Sequence, residues 1–233
     1  MSRDRSANTL RIAVLISGSG RTLKNLIDLA EEGGLPIEVA LVVSSTPKAG
    51  GLQHATKAGI ATNVIERTGF ESDQAYGNAV FAACRDAGVD YVAMAGFLKL
   101  APVPEDFEGR VLNIHPSLLP AFGGRGMYGG RVHQAVLDHG VKVTGCTVHF
   151  VDNEYDRGPI IWQQPVPVFD DDTAETLADR VFETELDAYP HVLGLLADGR
   201  LQLEGRCVRL VKAKRGSRSV GDLTDGNPRA GIT

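Results

Sequence analysis

Asn113 and His115 flank a single residue in the segment 111–116, Val-Leu-Asn-Ile-His-Pro, and a carboxylate, Asp156, precedes Gly158-Pro159 further along the chain. An amide, an imidazole and a carboxylate suit acyl transfer. The amide and a protonated imidazole can hold the oxyanion of a tetrahedral intermediate, and the carboxylate can stabilise the imidazolium and help move an amine proton. No Ser or Cys stands as an obvious nucleophile, so direct attack by a substrate amine is more natural than an acyl-enzyme. The competing reading of His115 is a satisfied structural histidine at a strand end. Metal binding by His115, His133, His149 and Asp156 is the other alternative, but their spacings match no common ligand signature, so no metal is expected.

These residues need a strand to present them. In 111–114 a period of two puts Asn113 and His115 on one face and Leu112 and Ile114 on the other. Pro116 withholds a donor and keeps His115 extended, so the strand must stop there. In an open α/β sheet, ligands sit at such carboxyl ends. A second candidate site opens the chain: the apolar strand 10–16, then Ser-Gly-Ser-Gly-Arg-Thr at 17–22, then an amphipathic helix over 22–32 stopped by Gly33-Gly34. This order aims backbone N–H groups at an anion. The third glycine of a dinucleotide fingerprint would fall at Leu23, the second strand (37–43) ends in Ser44-Ser45, and the P-loop ending is missing. A single phosphate is therefore favoured over a dinucleotide, with a turn that merely packs as the alternative.

Further strands are expected at 62–65 and 90–95, and helices at 49–58 and 72–87, the latter opened by Ser72. Alternation of strands with helices predicts an α/β fold, a doubly wound, mostly parallel Rossmann-like sheet. The glycine-rich stretch 123–130 reads as a lid, followed by a short helix at 131–137. Strands 143–151 and 160–168 pair across an acidic connection and give the sheet a mixed C-terminal part. Asp172 and Glu175 read as a capping box for a long helix that runs to about 197, interrupted or kinked near Pro190. Short strands at 201–203 and 207–211 complete the reading.

The 233 residues are 43% hydrophobic, enough for one core, and the net charge of −5 with a pI near 5.7 argues against a large nucleic-acid footprint. Three widely spaced cysteines, Cys84, Cys146 and Cys207, suit a reducing cytoplasm. Cys146 sits in a strand-like run as a small apolar residue would. No apolar run approaches a membrane span, and the N-terminus carries no secretory signal. The organisation expected is a flexible N-terminus (1–9), one catalytic domain (10–211) and a disordered tail (212–233).

The run Asn-x-His-Pro-Ser-Leu-Leu-Pro at 113–120, the strand Thr-Gly-Cys-Thr-Val-His-Phe-Val at 144–151, Asp156-x-Gly158-Pro159 and the opening Ile-Ser-Gly-Ser-Gly-x-x-Leu at 16–23 together resemble the folate-dependent formyltransferase family. The similarity runs over roughly 10–211. It implies the formyltransferase fold and transfer of a formyl group from 10-formyltetrahydrofolate, as co-substrate, to the amine of phosphoribosylglycinamide in purine biosynthesis. Asn113, His115 and Asp156 match the family's catalytic residues. Gly20, Arg21 and Thr22 match its phosphate-holding stretch, and Glu185 a substrate-contacting glutamate. Leu98, Lys99, Leu100 and Ala101, with Asp152, Asn153, Glu154 and Tyr155, match the segments lining the pterin pocket. The implied partners are these small molecules, with no nucleic acid and no membrane, and a homodimer is allowed.

Two departures stand out. Asp73 takes the place of a basic residue that some members carry near the folate's glutamate end, and the 123–130 loop is longer and richer in glycine. Within the family, formylation of initiator methionyl-tRNA would call for a C-terminal barrel and a basic surface, and a formyltetrahydrofolate hydrolase for an N-terminal regulatory domain. The sequence is read as having neither. A non-catalytic nucleotide-binding sensor and an NAD-dependent dehydrogenase are the readings from other classes; the broken fingerprint counts against the dehydrogenase.

Overall fold

The computed structural model describes residues 9–212. The frayed start and the disordered tail expected from the sequence fall outside those residues, apart from Thr9 and Lys212. Five parallel strands form most of one sheet: β1 (Leu10–Ile16), β2 (Ile37–Ser44), β3 (Ala61–Val64), β4 (Tyr91–Met94) and β5 (Val111–His115). Two antiparallel strands, β6 (Val143–Phe150) and β7 (Ile160–Pro167), extend it. The order is β3-β2-β1-β4-β5-β6-β7, so the chain reverses its direction of winding between β1 and β4. A separate hairpin, β8 (Leu201–Glu204) and β9 (Cys207–Leu210), follows.

Apolar runs make the central strands. Ile12 to Ile16 and Val92 to Ala93 are fully buried because helices cover both faces of the sheet. One face packs against α1 (Arg21–Glu31), α2 (Gly51–Lys57) and α5 (Ala174–Ala197), around Ile12, Val14, Leu26, Val148 and Leu193. The other packs on α3 (Asp73–Asp86), with Leu15, Val43, Tyr76, Phe81 and Phe107 at its centre. The Ser72 side chain caps α3 by accepting from Ala75 N at 3.1 Å, as expected. α4 (Gly130–Asp138) precedes β6.

Two local expectations for α5 need correction. Its capping box is formed by Thr173 and Thr176, whose side chains bond each other's backbone N–H reciprocally, one residue beyond the Asp172–Glu175 pair. Asp172 serves outside the helix instead, accepting from Phe169 N and gripping Arg180 with both oxygens. Nor does Pro190 end the helix, which is continuous from Ala174 to Ala197. Proline removes the donor that would reach the carbonyl four residues back, here Leu186 O. The Asn25 side chain on α1 supplies that donor at 2.9 Å, so the orphaned carbonyl is satisfied from a neighbouring helix.

Candidate active site

A cavity of about 440 Å³ lies over the carboxyl ends of β1, β4 and β5, at the point where the strand order reverses. Open α/β sheets bind ligands at this place because adjacent loops part to opposite faces. Asn113, His115, Asp156, Gly20, Arg21, Thr22, Glu185, Leu98, Lys99 and Tyr155 all line it. Leu100, Ala101, Asp152, Asn153 and Glu154 lie outside the lining.

The last three have structural partners. Asp152 Oδ1 accepts from Glu154 N at 2.9 Å, and Glu154 pairs with Arg157 at 3.7 Å. Asn153 binds both backbone groups of Val103, accepting its N–H at 2.8 Å and donating to its carbonyl at 3.3 Å. Asp73 accepts from Arg67 Nε at 2.6 Å at the start of α3 and is absent from the lining.

β5 delivers Asn113 and His115 to one side, as period two requires. Antiparallel pairing places His149 of β6 directly opposite Asn113, and Thr147 opposite His115. The hydrogen bonds of His149 fix its tautomer: the carbonyl of Phe150 can only accept, so His149 Nδ1 donates to it at 2.8 Å. Burial holds this imidazole below its ordinary range and therefore neutral. His149 Nε2 is left bare and accepts from Asn113 Nδ2 at 3.2 Å, which fixes the amide's orientation.

His115 is 3% exposed. Its Nε2 donates to Phe122 O at 2.9 Å, and its Nδ1 lies 3.6 Å from Asp156 Oδ2. That separation exceeds a hydrogen bond, so both groups keep capacity for a substrate atom or water. Asp156 Oδ1 is 3.8 Å from His149 Nε2, and its Oδ2 accepts from Gly124 N at 2.9 Å.

Asp156 itself has φ 54°, a left-handed backbone that Asp tolerates better than most residues. The turn that holds it is set by Gly158, where a Cβ would fall 1.8 Å from Phe150 O. The segment after His115 is pinned by Thr147, whose hydroxyl donates to Ser117 O at 2.6 Å and accepts from Leu119 N at 3.0 Å.

The other end of the cavity is built on the N-terminus of α1. Gly20 caps it at φ 74° with no side-chain cap, so the first-turn N–H groups open toward the cavity with the positive end of the helix dipole. A Cβ on Gly20 would lie 2.4 Å from Gly51 Cα, so α2 packs against this turn as closely as glycine permits. Arg21 lies with its guanidinium carbon 3.7 Å from the Phe182 ring centre and Nη1 3.8 Å from Asp179 Oδ1. Burial pushes the Glu185 carboxyl up to about 8, against the opposing pull of Arg21. One end of the cavity thus offers a cation and a helix N-terminus, the other an amide, an imidazole and a carboxylate.

Several lining residues went unassigned in the sequence. Asp179 and Phe182 recur at helical spacing with Glu185 on α5 and share its face; that periodicity could have found them. Met127 and Tyr128 come from the glycine-rich loop, which lines the cavity where a lid was expected. His133, on α4, is 4% exposed with Nδ1 unpartnered among the described residues, and burial, then the neighbouring His115, lowers its pKa. Among the described residues, no group of three or more His, Cys, Asp or Glu is placed to hold a metal ion. Among the same residues, no helix is long and apolar enough to cross a membrane.

A sequence profile described as formyl transferase matches residues 10–193. The chain is 43% identical over 198 residues to the trifunctional purine biosynthetic protein adenosine-3 of Gallus gallus, an alignment covering 84% of this chain and 19% of that protein. It therefore spans about a fifth of the length of that relative. It is 38% identical to the phosphoribosylglycinamide formyltransferase of Haemophilus influenzae over 196 residues, covering 83% of this chain and 90% of that one. Among solved structures, glycinamide ribonucleotide transformylase 1 from Symbiobacterium toebii superposes with a TM-score of 0.84 at 42% identity, covering 89% of this chain and 96% of its own. The profile match covers more than half of the chain, and relatives near 40% identity share its sequence and its fold: the chain belongs to the formyl transferase family.

Proposed function

We propose that this protein transfers the formyl group of 10-formyltetrahydrofolate to the amine of phosphoribosylglycinamide, a one-carbon transfer of purine biosynthesis. The observation that carries this reading is one continuous cavity with the uncapped N-terminus of α1 and Arg21 at one end and Asn113, His115 and Asp156 at the other. The ribonucleotide phosphate lies against Gly20, Arg21 and Thr22 at the α1 N-terminus, where backbone donors and a cation meet it. Glu185 faces the rest of the ribonucleotide. The pterin lies along Phe97, Leu98, Lys99 and Tyr155, where apolar surface and backbone groups suit a flat heterocycle.

In the reaction the amine lone pair attacks the formyl carbon, and the carbonyl π electrons move onto oxygen. Asn113 and protonated His115 donate to that oxyanion, while neutral His149 keeps the Asn113 amide turned for the task. Asp156 accepts the ammonium proton, directly or through water, and returns it to the departing N10 as the carbon–N10 bond breaks. Tetrahydrofolate and the formylated ribonucleotide leave, and no acyl-enzyme forms. The cavity volume is within the range of small-molecule sites. The acidic composition and the free cysteines, two of them buried, support a cytoplasmic protein acting on small molecules alone, without nucleic acid.

The test is acceptor dependence. Purified protein should consume 10-formyltetrahydrofolate only when phosphoribosylglycinamide is present. Consumption without acceptor would mean a hydrolase, and no consumption in either case would leave a binding protein.

A further inference from the structure

Ser17 lies at the end of β1, outside the cavity lining and immediately before the loop that carries Gly18 to Thr22. Its three polar contacts reach two different segments. The backbone N–H donates to Gly96 O at 3.1 Å, which joins the start of the phosphate loop to the end of β4. The hydroxyl oxygen accepts from Leu98 N at 2.9 Å, inside the segment whose residues line the proposed pterin wall. The same oxygen is 2.7 Å from Ser45 Oγ, and Ser45 N in turn donates to Ile16 O at 3.1 Å.

The chain from Leu98 to Val103 has no regular secondary structure. Among the described residues, it is tied to the rest of the protein by hydrogen bonds from two side chains, Ser17 at Leu98 and Asn153 at Val103. One tie thus comes from the residue that leads into the phosphate loop and the other from the connection that carries Asp156. Removing the Ser17 hydroxyl frees the end of this segment that faces the ribonucleotide.

Resting on the proposed function, we infer that Ser17 is a positioning residue that couples the two substrate subsites. Its backbone moves with the phosphate loop and its hydroxyl sets the wall against which the pterin lies. A ribonucleotide that orders the loop therefore also orders the pterin wall, and each ligand tightens the other by the same factor, as linkage requires. A single hydrogen bond of this kind transmits roughly a threefold to tenfold effect.

The experiment is a binding cycle by titration calorimetry. Tetrahydrofolate affinity is measured with and without saturating phosphoribosylglycinamide, for the unaltered protein, Ser17→Ala and Ser17→Thr. The unaltered protein should bind tetrahydrofolate about three to ten times more tightly with the ribonucleotide present. Ser17→Ala should bind phosphoribosylglycinamide alone nearly as before, bind tetrahydrofolate alone somewhat more weakly and show a factor near one, and Ser17→Thr should restore the coupling through its hydroxyl. Equal coupling in the Ala variant, or none in the unaltered protein, overturns the inference while leaving the proposed reaction standing. Loss of both single-ligand affinities in Ser17→Ala also overturns it, since the residue would then be merely structural. Failure of the unaltered protein to bind either ligand removes the proposed function and the inference together.

Discussion

Asn113 earns its orientation from His149, not from its own strand. His149→Leu leaves the Asn113 amide without its acceptor, and turnover should fall about tenfold to a hundredfold with KM little changed. Steady-state kinetics checks this; a rise in KM at constant kcat would assign His149 to ligand binding. Glu185 gives a residue-scale effect of pH. Its pKa is about 8 in the fold against 4.5 as the ordinary value, so between those limits the folded state holds the extra proton. Stability must therefore fall as pH rises through that window, by at most about 1.4 kcal/mol per pH unit. Urea titrations at pH 5 and pH 8 should show that loss in the unaltered protein and a smaller one in Glu185→Gln. Asn113 and His115 were legible in the sequence because alternation in a short strand fixes a shared face. The orienting contact from His149 was not, because the β5–β6 register is set by pairing across a long connection.

At the scale of elements, α5 survives an internal proline through one borrowed donor. Asn25→Leu removes it and leaves Leu186 O unsatisfied, which should cost about 1–3 kcal/mol in urea unfolding. An unchanged midpoint would show that water replaces the amide. Gly158 shapes the connection between β6 and β7. Gly158→Ala forces the strand end apart, displaces Asp156 and should reduce turnover by up to about 100-fold, since a shift near 1 Å is enough to do so. Strand and helix identities were readable from apolar runs and from caps such as Ser72. The start of α5 was read one residue early, because Asp172 fits a capping pattern equally well until its partner Arg180 is seen in space. An interruption at Pro190 was expected because sequence carries no sign of a donor 165 positions earlier in the chain, counting from Asn25 to Pro190.

For the whole molecule, the order β3-β2-β1-β4-β5 decides where ligands go before any side chain is considered. A parallel sheet with helices on both faces and an antiparallel extension was legible from the alternation of apolar strands and amphipathic helices. The shape of the cavity was not, since Phe182, Met127, Tyr128 and His133 reach it from elements far apart in sequence. Tyr189 shows how the core supports the site from below: fully buried on α5, its hydroxyl lies 3.1 Å from both Met94 O and Leu112 O, on the two strands that carry the site. The account depends on Asp156 acting on the reacting amine rather than only holding the loop. Single-turnover formyl transfer by Asp156→Asn, with phosphoribosylglycinamide and 10-formyltetrahydrofolate both saturating, tests this most directly. The account predicts a rate lower by about 10²–10⁴ with both ligands still bound; a rate close to that of the unaltered protein would contradict it.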